Sequence, residues 1–147
     1  MTAPFIALNE NFLVSPQISI DDVDAARADG VAVIVNNRPD NEAPGQPAGD
    51  AIKAAAEAAG LVYSAIPVGP AGISHDHLDA LTAVIEAADG PVLAYCKSGT
   101  RSVIVRAFAL ARAGHDADAL VAEAMAAGYD IQGHRPALAA LGAQSAP

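Results

Sequence analysis

The chain has 147 residues, enough for one domain with a buried core and no covalent staples. Its net charge of -9 argues against nucleic acid and anionic membrane surfaces as partners, so any anion site must be a local positive spot on an acidic protein. A single cysteine, Cys96, excludes an internal disulfide framework and fits a reducing cytoplasm.

Apolar residues make up 52% of the chain, and many are alanine, so helices are expected to pack closely through small side chains. The opening M-T-A-P-F-I-A-L-N-E has no basic segment followed by an apolar run, and no signal peptide is expected from it. No apolar stretch approaches the length of a membrane helix. One domain is expected over residues 1–147, with an ordered core from about 5 to 141.

In chain order, Phe12 to Val14 reads as a short strand, followed by a turn at Ser15 to Gln17. Ser19 is placed to cap a helix, with Asp22 three residues on as its capping-box partner. That helix should run to about Asp29 and stop at Gly30. Val31 to Val35 is a continuous, mostly β-branched run, suited to a central strand. It opens into a long loop, 36–49, rich in Pro, Gly and Asn and carrying Arg38, Asp40 and Glu42. A helix from Asp50 to Ala59, a strand from Leu61 to Ile66 and a Gly/Pro loop, 67–73, follow. Ser74 caps a helix from His75 to Ala88, where Leu78, Leu81 and Ile85 share a face.

Pro91 opens the next strand, Val92 to Tyr95, and Cys96 stands at its end. Lys97, Ser98, Gly99, Thr100, Arg101 and Ser102 follow, and Val103 to Ala113 has helical apolar spacing up to Gly114. Asp116 caps a further helix to Ala127, Tyr129-Asp130 begins a connector, and Pro136 to Leu141 forms a last short helix. Residues 142–147 read as a frayed tail. Strands alternating with helices imply an α/β fold with a mainly parallel sheet of about four strands and helices on its faces. Ligands of such sheets bind beyond the carboxyl ends of the strands, where the loops 36–49 and 67–73 and the Cys96 loop would meet.

A free cysteine is often just a small buried hydrophobe. Here four features coincide: a strand end, a glycine-containing loop, an arginine five positions on and a helix start. Backbone N–H groups at a helix start, together with Lys97 and Arg101, favour negative charge on a thiol at that point. The same loop, Lys97 to Thr100, would cradle an anionic substrate, with Gly99 letting the backbone turn toward it. Arg101 can hold two oxygens of a tetrahedral anion through its fork of donors. Arg38 is either a second anion contact or a partner for Asp40 or Glu42.

The stretches V-I-V-N-N-R-P-D-N-E (33–42), I-P-V (66–68), V-L-A-Y-C-K-S-G-T-R-S (92–102) and A-G-Y-D (127–130) carry a resemblance. From about Phe12 to Asp130 the chain resembles a bacterial family within the cysteine-dependent phosphatase superfamily: the phosphatase-like domains found alone or fused to β-lactamase-like hydrolase domains. The resemblance implies a dual-specificity-phosphatase-like fold, Cys96 as nucleophile and Arg101 as anion clamp. It further implies that Ser102 assists the thiolate as leaving group. The sequence departs from the superfamily pattern in three places. Four residues rather than five separate Cys96 from Arg101, which is the spacing of rhodanese-type sulfurtransferases. Tyr95 stands where those phosphatases usually have histidine. The aspartate that serves as general acid has no clear counterpart: Asp76 lies in the right part of the chain, but in a first helical turn, and Asp40 and Glu42 are alternatives.

Two chemistries follow. One is phosphomonoester hydrolysis through a phosphocysteine; the other is sulfane-sulfur transfer through a persulfide on Cys96. An inactive anion-binding module is a third reading of the same loop. In each, the partner is a small anion, and the residues call for no cofactor or metal. His75 and His77, two apart, do not share a helix face and read as cap-proximal; Lys97 tunes the local field. Tyr129 and Asp130 read as ties between the last helices and the sheet.

Overall fold

The computed structural model describes residues 5–145. Five strands form one sheet: β1 (Ile6–Asn9), β2 (Phe12–Ser15), β3 (Val33–Asn36), β4 (Val62–Ala65) and β5 (Val92–Tyr95). Their spatial order is β1-β2-β5-β3-β4, so β5, the strand that delivers the cysteine, is central. The four strands legible in the sequence run parallel to one another. The fifth, β1, was not expected. It pairs antiparallel with β2 across a tight turn in which the Asn9 side chain accepts the Asn11 N–H at 2.7 Å. Its side chains alternate between half-buried and exposed, the pattern of an edge strand, and so it lacks the solid apolar run of the others.

The helices are α1 (Ile20–Ala28), α2 (Gly49–Ala58), α3 (His75–Ala87), α4 (Thr100–Arg112), α5 (Ala117–Ala126) and α6 (Arg135–Ser145). Strand side chains alternate between two faces. Ile34, Leu93 and Tyr95 face α1 and α2, where they pack with Val23, Ala26, Ile52 and Ala56. Phe12, Val14, Val33, Val35, Val92 and Ala94 face the other way, onto α3 to α6 through Leu78, Leu81, Val103, Leu120 and Leu138. Because Tyr95 points to the α1–α2 face, the next residue, Cys96, falls on the side of α4.

Helix ends follow their capping chemistry. Ser19 with Asp22 and Ser74 with His77 each form a capping box, and Asp116 accepts the Ala119 N–H. The reading of His77 as cap-proximal agrees with this: its Nδ1 accepts the Ser74 N–H at 3.0 Å. The boundaries of α4 and α6 differ most from expectation. Helix α4 begins at Thr100, three residues before Val103, because the turn is made by Gly99 at φ +95° with no side-chain cap to signal it. Helix α6 begins at Arg135, after a 3-10 turn at Gln132–His134, and continues through Gly142 to Ser145 rather than fraying. A Cβ at Gly142 would lie 3.6 Å from the Ala111 carbonyl oxygen, an ordinary contact where α6 packs against α4.

Candidate active site

Parallel register aligns Ser15, Tyr95, Asn36 and Ala65 at one edge of the sheet, and every loop leaving that edge contributes to one cluster. Cys96 is fully buried, and its N–H donates to the Ser15 carbonyl at 3.4 Å. Its Sγ accepts the backbone N–H of Gly99 at 3.1 Å. The loop thus curls back on the sulfur within three residues. Lys97 and Ser98 are exposed, as is Thr100, whose hydroxyl oxygen accepts from Ser98 at 3.1 Å. Lys97 takes part through its carbonyl, which accepts the Gln17 N–H.

Arg101, in the first turn of α4, joins three loops. Its Nη1 donates to Glu42 Oε2 at 2.7 Å and to the Val68 carbonyl at 2.9 Å, and its Nη2 donates to Glu42 Oε1 at 2.7 Å. The guanidinium's affinity for its proton is raised first by the Glu42 hydrogen bonds and further by the nearby Cys96, against an opposing effect of burial. Glu42 is shared with Arg38, whose Nε donates to Oε1 at 3.0 Å. Arg38 is only 6% exposed and donates a second bond to Gln17 Oε1 at 3.0 Å. Of the two readings for Arg38, the structure shows the pair with Glu42. The hydrogen bonds from Arg101 hold the Glu42 carboxyl well below the usual range, at about 2, with Arg38 adding to the effect.

Ser102 is buried, and its hydroxyl donates to Asn37 Oδ1 at 2.8 Å. Asn37 in turn donates to the Ile66 carbonyl at 2.9 Å. Ser102 therefore pins α4 to the ends of β3 and β4, with its hydroxyl donating to Asn37.

The acid candidates are dispersed. Asp76 is exposed in the first turn of α3, and no hydrogen bond or ion pair joins it to the cysteine loop among the described residues. Its neighbours His75 and Asp79 are engaged by Arg112, which lies eleven residues beyond Arg101 on α4, about 16 Å along the helix. The structure thus places Asp76 with the far end of α4. There it lies in a first helical turn, where an acidic residue complements the dipole. Asp40 accepts the Gly49 N–H at 2.8 Å and so caps α2. Glu42 is ionised on the two arginines. Tyr95 is buried, and its phenol is pushed up by burial and by neighbouring Tyr63.

Two contributors were missed as site residues. Gln17 lies in no motif, and Asn37, though within the 33–42 stretch, was given no role; the register of the strand ends brings both to the loop. A third, Tyr129, had been read as a tie to the sheet; it reaches the loop itself, its hydroxyl donating to the Ser98 carbonyl at 3.3 Å. A cleft of about 550 Å³ adjoins the cluster, lined by Asn36, Arg38, Pro39, Lys53 and Tyr63. Another, of about 520 Å³ around Arg106, lies at the opposite ends of the strands and is no part of this site.

A four-stranded parallel core with its cysteine at the end of the central strand, leading through a tight loop into a helix, defines a dual-specificity-phosphatase-like α/β fold. The chain belongs to the family described as beta-lactamase hydrolase-like protein, phosphatase-like domain, whose model matches residues 4–115. It is 40% identical over 98 residues to the beta-lactamase hydrolase-like protein of Agrobacterium fabrum, covering 67% of this chain but 23% of that relative's length. Among solved structures, it is similar to a candidate phosphatase from Neisseria meningitidis, with 32% identity, a TM-score of 0.82, and 92% of this chain and 96% of that chain covered. A mouse candidate dual-specificity phosphatase, solved with zinc tungstate, is 20% identical with a TM-score of 0.65, covering 97% of this chain and 89% of that one; that likeness shows the fold alone.

Proposed function

We propose that the protein is a cysteine-dependent phosphatase-type hydrolase acting on a small phosphomonoester. The observation that carries the reading is the Gly99 N–H aimed at Cys96 Sγ at 3.1 Å, with Arg101 one turn into α4 beside it. A thiolate there attacks phosphorus, an S–P bond forms, and the ester P–O bond breaks as the leaving oxygen departs. Arg101 and the loop N–H groups of Lys97 to Thr100 stabilise the equatorial oxygens, and water then cleaves the phosphocysteine. Cys96 is fully buried in this arrangement, so entry of a substrate requires the groups around the loop to move. A reduced cysteine at this position suits a reducing compartment such as the cytoplasm. Among the described residues no helix is long and apolar enough to cross a membrane.

A second reading, a rhodanese-like sulfurtransferase carrying a persulfide on Cys96, is favoured by the four-residue spacing from Cys96 to Arg101 and by the scattered acids. Sulfur transfer needs the thiolate and an anion cradle but no acid placed for an alkoxide. The test is to quench the protein during turnover of an aryl phosphate and examine the Cys96 peptide by mass spectrometry. The proposal expects a phosphate adduct on Cys96 that Cys96→Ser lacks. Turnover with no adduct, or an adduct on another residue, would overturn it.

A further inference from the structure

The A-G-Y-D stretch at 127–130 lies beyond the residues matched by the family model, yet it reaches the heart of the site. Tyr129 is half-buried, and its hydroxyl donates to the Ser98 carbonyl. The Gly99 N–H donates to Cys96 Sγ. Those two groups, the Ser98 C=O and the Gly99 N–H, are opposite edges of a single planar trans peptide. Drawing the carbonyl outward to Tyr129 therefore turns the N–H inward to the sulfur. Rotating that peptide would break both bonds at once.

The packing says the same. Gly99 has φ +95°, and a Cβ built on it would lie 2.3 Å from the Tyr129 hydroxyl oxygen and 3.1 Å from Cζ. The tyrosine fills the space that any side chain at position 99 would need. We infer that Tyr129 is a positioning residue: it fixes the Ser98–Gly99 peptide so that the Gly99 N–H supports negative charge on Cys96. The chain of two hydrogen bonds through one peptide also polarises the N–H toward the sulfur. Burial and the charge at Cys96 both push the Tyr129 phenol up, so it stays a donor across neutral pH. Tyr129 touches no substrate; it acts through the peptide. The inference rests on Cys96 being the reacting group.

The test compares the full chain with Tyr129→Phe, which keeps the ring and removes only the hydroxyl. Asp130→Asn is the control, because the Asp130 side chain accepts the Gln132 N–H and makes no hydrogen bond to the loop among the described residues. Two quantities are read: the Gly99 amide resonance by 15N–1H NMR, and the rate at which iodoacetamide alkylates Cys96 at pH 7. Tyr129→Phe should move the Gly99 amide and slow alkylation by about three- to tenfold, the scale of one weakened hydrogen bond to a charged group. Asp130→Asn should change neither. A Gly99 amide unmoved in Tyr129→Phe, or an alkylation rate unchanged, would overturn the inference. Retained turnover in Cys96→Ser would instead remove Cys96 as the reacting group, and the amide would still report on the peptide.

Discussion

Glu42 is the residue on which two arginines and two loops depend, and Glu42→Gln isolates what its charge contributes. The glutamine keeps the shape and one acceptor oxygen but loses the charge. In the folded protein the carboxyl falls from its ordinary 4.5 to about 2, driven first by the Arg101 hydrogen bonds. A fall of that size corresponds to at most about 3 kcal/mol of linked stability. The chain around Glu42 is exposed, and solvent screening reduces the contribution to about 1 kcal/mol. Because the folded-state value is depressed, this stability is fully present above about pH 4.5 and is lost as the pH falls toward 2. Urea unfolding of the native protein and Glu42→Gln should therefore differ by about 1 kcal/mol at pH 7 and by less than half of that at pH 3. Titration of every other carboxyl is common to both proteins and cancels in the difference. A gap that stays constant between pH 7 and pH 3, or no gap at pH 7, would refute the reasoning that the charge of Glu42 ties the loops together.

Arg101→Lys replaces a bidentate fork with a point charge, and inorganic phosphate should bind at least about tenfold more weakly by isothermal titration; unchanged affinity would take Arg101 out of the anion site. Ser102→Ala leaves the buried Asn37 oxygen without its donor and should cost about 1–3 kcal/mol in urea unfolding, with no change in the slope; a neutral result would mean that the bond at 2.8 Å carries no stability. With no carboxyl hydrogen-bonded to the cysteine loop among the described residues, aryl phosphates should turn over about 10²- to 10⁴-fold faster than alkyl phosphates. Equal rates for the two ester classes in a steady-state assay would point to a proton donor outside the groups described above.

The parts of the fold that are written locally were legible in the chain. β3 (Val33–Asn36) and β5 (Val92–Tyr95) are buried strands because their runs are covered on both faces, and Ser19 and Ser74 announce helix starts through their own side chains. Features set by packing were not legible. β1 alternates too weakly to stand out from its turn, and Gly142 reads as the start of a tail although α6 runs through it. The same division runs through the site. Cys96, Gly99 and Arg101 lie within six residues and announce one another. Glu42 meets Arg101 across 59 positions, and Ser102 meets Asn37 across 65, so neither pairing leaves a spacing to read. Asp76 was singled out by its place in the chain, and it stands exposed in the first turn of α3.

The central claim, that Cys96 is a nucleophile toward phosphorus, is tested most directly by a side-by-side assay of the reduced protein and Cys96→Ser. Each is given an aryl phosphate, and separately thiosulfate with a thiol acceptor. An aryl ester has a good leaving group and bypasses the missing acid. The account predicts phosphate release by the native protein and none by Cys96→Ser. Persulfide formation from thiosulfate that depends on Cys96, with no phosphate released, would contradict it and make the four-residue loop the determinant of a sulfurtransferase.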